Sequence, residues 1–92
     1  MEKFLIEVPH EAEQKACAHA ARTLLTTGSH FITNADFGCS DGVHKAWIIA
    51  EVGSKDEARG ILPVAYRSQA SIVKLNKFSI KELDELLGLH KP

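Results

Sequence analysis

The chain has 92 residues, 45% of them hydrophobic, with 11 Lys and Arg against 12 Asp and Glu and a formal net charge of −1. That length suits one domain spanning 1–92, able to fold without disulfides or metals but short of the core that would enclose a deep cavity, so a roomy pocket calls for a second subunit. Interspersed charges leave no basic run for a phosphate backbone, and no signal peptide or run of about 18 apolar residues appears, which argues against nucleic acid and membrane partners and points to the cytoplasm.

From the N-terminus, Phe4 to Val8 alternates as a strand, with Phe4, Ile6 and Val8 on one side and Leu5 and Glu7 on the other, until Pro9 ends it. Glu11 to Thr27 is Ala-rich and sets Cys17, Ala20, Ala21, Leu24 and Leu25 on one stripe at helical spacing, with Gly28 placed to end the helix. Phe31 to Val52 reads as a β-hairpin. With Asp41-Gly42 as the central residues of a type I′ turn, Asp36 falls opposite Trp47, Phe37 opposite Ala46 and Cys39 opposite His44. Directly opposed residues have Cβ atoms about 4.5–5.5 Å apart, so a thiol and an imidazole become neighbours.

Ser54 and Glu57 form a capping box that opens a second helix, with Ala58, Ile61, Leu62 and Ala65 as its apolar side. Pro63 interrupts it, so Val64 to Gln69 is expected to be irregular. Ser71 to Phe78 is a fourth strand, expected to turn Val73 and Leu75 to one side and Ile72, Lys74 and Asn76 to the other. A second capping box, Ser79 and Glu82, starts a terminal helix striped by Ile80, Leu83, Leu86 and Leu87 and ended by Gly88.

The order β-α-β-β-α-β-α predicts an α+β fold: a ferredoxin-like βαββαβ sandwich with an extra C-terminal helix and a four-stranded antiparallel sheet. Strand alternation then sorts the sheet into two faces. Phe4, Ile6, Val8, Phe31, Ala35, Phe37, Ala46, Ile48, Ala50, Val52, Val73 and Leu75 make a helix-facing core. The opposite face carries Leu5, Glu7, Ile32, Asn34, Asp36, Lys45, Trp47, Ile49, Glu51, Ile72, Lys74 and Asn76, too apolar to be left wet, so it is expected to be covered.

That whole-chain topology resembles the dimeric α+β barrel superfamily, whose relatives include muconolactone-isomerase-like proteins, antibiotic-biosynthesis-type monooxygenases and small nickel-binding proteins. Locally, the run Arg-Ser-Gln-Ala-Ser-Ile-Val-Lys-Leu-Asn-Lys-Phe from Arg67 to Phe78 is similar to the last strand of small uncharacterised members. The resemblance implies a homodimer packed sheet against sheet around a small pocket. It carries no catalytic motif onto this chain, since one fold hosts many functions.

Two sets of residues could do chemistry. Cys39 and His44 could form a thiolate–imidazolium pair acting as nucleophile or redox-sensitive thiol, or supply two soft ligands to Zn, Ni or Cu. A metal would need a further ligand from Asp41, His30 or a partner subunit, and no spacing dictates one. The bland alternative is a buried small Cys39 beneath the tip and a solvent-facing His44. On the sheet face, Glu7 beside Lys45 and Lys74 could act as a general base, as an isomerase or cofactor-free oxygenase could use. Asn34, Asp36, Trp47 and Asn76 would line that pocket, and Lys74 with Arg67 would pair a small anionic organic ligand. The bland alternatives are a cross-strand ion pair and a surface Arg. His10 and His30 read as capping or surface groups, and Cys17 as core. No cofactor is implied, and the chain could equally be a non-catalytic interaction module.

Overall fold

The computed structural model describes residues 1–27 and 30–89; Gly28, expected to stop the first helix, lies outside them. Strand β1 runs Glu2–Pro9, helix α1 Gln14–Thr27 and a 3₁₀ segment His30–Asn34. Strand β2 is only Asp36–Phe37, followed by a 3₁₀ turn Cys39–Asp41 and strand β3 Lys45–Val52. Helices α2 (Lys55–Gly60) and α3 (Val64–Arg67), strand β4 (Ser71–Leu75) and helix α4 (Ile80–Leu86) complete the chain. The result is an α+β fold with a four-stranded antiparallel sheet in the order β2-β3-β1-β4.

Alternation in β1 and β3 settles one face. Phe4, Ile6 and Val8 stand opposite Ala50, Ile48 and Ala46, and all six are buried. Over them pack Leu24 of α1, Ile32 of the 3₁₀ segment, and Ala58, Ile61 and Leu62 in and after α2. Burying a large aliphatic side chain is worth about 1.5–3 kcal/mol each, so this single cluster is what holds the fold. Both serines cap their helices: the amides of Glu57 and Glu82 donate to Ser54 Oγ and Ser79 Oγ at 3.1 Å, and the Glu57 carboxylate accepts from Gly53 N at 2.9 Å.

Four expectations change. Residues 30–34 coil into a 3₁₀ segment rather than a strand, which turns Ile32 into the core and leaves Asn34 exposed on no sheet face. In β4 the parity is reversed, with Ile72 opposite Ile6, Val73 opposite Leu5 and Lys74 opposite Phe4. Ser-Ile-Val-Lys-Leu is apolar on both faces, so alternation alone could not orient it; buried Ala70, just before the strand, shares parity with Ile72 and tips it inward. The second helix does break near Pro63, α2 ending at Gly60, but the stretch beyond is not irregular throughout: Pro63 is the N-cap of the short helix α3, where a missing N–H costs nothing. Finally, the Asp41-Gly42 turn is not type I′. That turn needs positive φ at both residues, and only Gly42 (φ 79°) adopts it. The chain instead makes a wider loop, in which Gly38 N donates to Lys45 O at 3.0 Å and Val43 N to Gly38 O at 2.9 Å.

Helix α4 stands apart. The radius of gyration is 16.9 Å, against about 12 Å for a compact chain of this length, and the molecule measures 61 × 29 × 20 Å. Its amphipathic stripe meets no core: Ile80 and Leu86 are each 74% exposed. It ends in a Schellman motif at Gly88 (φ 71°), with Leu89 N donating to Asp84 O and Gly88 N to Glu85 O.

Candidate metal centre

The end of β1 and the start of β3 are antiparallel neighbours, Pro9 against Lys45. The residues just beyond each strand therefore meet, and His10 N donates to His44 O at 3.1 Å. Their rings approach to 5.9 Å between centroids. Helix α1 begins a few residues after His10, and Cys17 in its first turn, buried at 8% exposure, points back to the same place. The 39–41 turn brings in Cys39 from the other side. Four ligand atoms, one each from His10, Cys17, Cys39 and His44, lie within 4.8 Å of one another.

The pairings cross the hairpin rather than following it. Cys17 Sγ lies 2.9 Å from His44 Nδ1, and Cys39 Sγ lies 3.1 Å from His10 Nε2. The expected Cys39–His44 cross-strand pair is thus replaced, because Cys39 sits in a turn and not on a strand; both residues still belong to one cluster. His30, weighed as a third ligand, instead stacks on Phe31, and Asp41 is not in the cluster.

Electrostatics within the cluster suit neutral ligands. Burial, then the neighbouring His44, lowers the His10 pKa, favouring the unprotonated ring a metal requires. The Cys17 thiol is pushed up to about 11, first by its hydrogen bond with Cys39, then by burial and the charge Cys39 would carry. Two thiols this close hold on to a proton unless a cation replaces it. His10 Nδ1 is buried without a hydrogen-bond partner, an omission that costs about 1–3 kcal/mol in a protein interior.

Trp47 props the loop that carries Cys39. A Cβ at Gly38 would stand 2.7 Å from Val43 O and 2.8 Å from the Trp47 ring, so only glycine lets the indole lie this close. Trp47 Nε1 donates to Glu7 Oε1 at 3.0 Å, and Lys45 Nζ lies 3.5 Å from the same oxygen. Glu7 therefore sits in the cross-strand ion pair that was its bland alternative.

The other expected site residues do not converge. Lys74 is not a neighbour of Glu7 as expected; the reversed parity of β4 sends it to Glu2, 3.0 Å away. Arg67 is not a free anion clamp, because its Nε and one terminal nitrogen donate to Leu62 O at 2.9 Å and Gly60 O at 3.3 Å, closing the end of α2. Asp36 is exposed opposite Trp47, and Asn76 follows β4 in a shallow cleft with Lys3, Ile49, Leu75 and Lys77.

His10 and Cys17 are the functional candidates that reading the sequence missed. The signal was present: in a β-α-β-β order, β1 and β3 pair, so the residue after β1 faces the residue before β3. No protein-family model matches the chain, and neither a curated protein nor a solved structure is similar enough to match it.

Proposed function

We propose that the protein binds a divalent transition-metal ion, Zn²⁺ foremost, through His10, Cys17, Cys39 and His44. The observation that carries this is the gathering of two thiols and two imidazoles from two separate chain segments within 4.8 Å. Zn–S near 2.3 Å and Zn–N near 2.0–2.1 Å in a tetrahedron imply ligand-to-ligand edges of about 3.3–3.8 Å. The S–N contacts of 2.9 and 3.1 Å would open by roughly half an ångström or slightly more to accept the ion. Two sulfurs with two nitrogens in such a shape favour Zn over the oxygen-seeking Mg or Ca. The ion would tie the start of α1 to the β2–β3 loop, where the sheet offers only a two-residue strand. It would also be approachable, since a cleft of about 320 Å³ is lined by Cys17, Cys39, Ser40 and His44.

Cys17 fits the part of an activated nucleophile less well, because a pKa raised to about 11 is the reverse of activation. A separate feature, the sheet face with Ile49 60% and Val73 49% exposed around Trp47, supports a homodimer formed through that face, with the ferredoxin-like and dimeric-barrel resemblance in its favour. Whether that dimer encloses a small-molecule site is a further step that Lys74 and Arg67 no longer support.

Native mass spectrometry of untagged protein reads both proposals at once. One zinc ion per chain, retained after exchange into chelator-free buffer and absent from the Cys39→Ser variant, is the expected result. Metal-free protein after equilibration with micromolar zinc would overturn the metal reading, and a monomer at micromolar concentration would overturn the dimer. Cobalt substitution gives an independent check, since thiolate-bound tetrahedral Co²⁺ is strongly coloured.

A further inference from the structure

We infer that Cys17 and Cys39 are a redox pair that closes into a disulfide under peroxide and expels the ion. Release of metal rests on the proposed zinc site, whereas the disulfide itself stands on the two thiols alone. Their sulfurs are within 4.8 Å of each other, and each lines the same surface cleft beside Ser40. They come from unlike positions. Cys17 is anchored in α1 and buried, while Cys39 is half-buried on a turn closed by its own hydrogen bonds, Asp41 and Val43 donating to Gly38 O and Gly42 to Cys39 O, and tied to β3 through Gly38 N donating to Lys45 O. Side-chain rotation at both cysteines, with a small shift of residues 39–42 about the Gly38–Lys45 anchor, would bring the sulfurs to the about 2.05 Å of an S–S bond.

Accessibility assigns the roles. Cys39, the more exposed sulfur, attacks the peroxide; the O–O bond breaks, Cys39 becomes a sulfenic acid and water leaves. The Cys17 sulfur then displaces hydroxide from that sulfenic acid, which departs as a second water with the thiol proton. Two electrons pass from the sulfur pair to one peroxide. For the zinc form the balance is one bis-thiolate zinc site, one H₂O₂ and two protons giving the disulfide, Zn²⁺ and two waters. A disulfide cannot supply the two thiolate charges that hold the ion, and two imidazoles alone bind it far more weakly.

The experiment treats metal-free and zinc-loaded protein with hydrogen peroxide and follows intact mass without reductant, thiol alkylation, and zinc release to a coloured chelator. Expected are a loss of two hydrogens from the metal-free chain, a proteolytic peptide pair joined through Cys17 and Cys39, and reversal by a dithiol reductant. Zinc appearing in step with the disulfide supports the coupled form. In the Cys17→Ser variant the reaction should stop at a Cys39 sulfenic acid trapped by dimedone, and more slowly at Cys17 in Cys39→Ser; trapping that is faster at Cys17 would reverse the assigned roles. Thiols that stay alkylatable in peroxide, or that cross-link only between chains, overturn the redox pair. A disulfide that forms normally in protein that never takes up zinc upholds the pair and sinks the metal reading alone.

Discussion

The two ends of the sheet differ in how their surfaces are satisfied. At the end where β1 hands over to α1, four polar, metal-capable side chains face one another, and His10, Cys17, Cys39 and His44 each have a partner within the cluster. On the open sheet face beside the Glu7–Trp47–Lys45 contacts, and along α4, large apolar side chains stand exposed: Ile49, Val73, Ile80 and Leu86. The first region is specific and self-contained, because soft ligands at fixed distances select an ion. The second is generic, because apolar area selects only for being covered. The proposed chemistry would belong to the first region and the proposed assembly to the second, and perturbing one should leave the other intact.

The largest effect should come from the metal. An ion that binds only the folded chain stabilises it by about 2.7 kcal/mol at a hundredfold excess over Kd, which for a domain of this size raises the Tm by roughly 10–20 °C. Scanning calorimetry with and without zinc checks this. His10→Ala should abolish the shift as completely as Cys39→Ser, since in the proposed site both would supply a ligand. If His10→Ala keeps most of the shift, the site is smaller than four ligands.

The outcome also shows what the sequence could and could not disclose. The core faces of β1 and β3 were legible because strict alternation leaves one arrangement that buries Phe4, Ile6, Val8, Ala46, Ile48 and Ala50 together. Both serine caps were legible because the donor and acceptor are three residues apart. The β4 register was not, since Ile72 and Val73 are equally apolar and the deciding contact, Ala70, lies outside the strand. Half of the metal cluster was visible as Cys39 and His44 across a turn, though through a hairpin geometry that Asp41 does not adopt. His10 and Cys17 were hidden because their proximity depends on strand pairing over more than 30 residues of sequence, and a histidine after a strand or a cysteine on an Ala-rich helix has a commonplace explanation.

A middle-sized effect should appear with pH, and it distinguishes the metal-free from the zinc-bound end. His10 has its pKa lowered in the fold, so below about 6.5 the unfolded chain takes up a proton that the folded chain resists, and stability falls as pH drops through that value. Cys17 has its pKa raised from 9.0 to about 11, so the stability of its protonated form is complete below 9 and is lost as pH rises from 9 toward 11. Metal-free protein should therefore lose Tm on both sides of a plateau. With zinc, both thiols are already thiolates, and the alkaline loss should disappear while the acid loss steepens as protons compete for the ligands. An alkaline limb unchanged by zinc would mean that Cys17 does not ligate.

The smallest effect tests whether the sheet face carries chemistry. In Glu7→Gln, the amide oxygen can still accept from Trp47 Nε1, while the ion pair with Lys45 is lost. Glu7 and Lys45 keep a third or more of their side-chain surface in water, at 33% and 42%, so the pair is of the exposed kind worth about 0.2–1 kcal/mol. A shift of only a few degrees in Tm, removed by added salt, is therefore expected, with zinc uptake and solution mass unchanged. A larger loss would mean that Glu7 holds Trp47, and through it the Gly38 turn that carries Cys39, more firmly than a half-exposed ion pair can. In that case zinc affinity should fall together with stability, and the two regions would be coupled through the Trp47 ring.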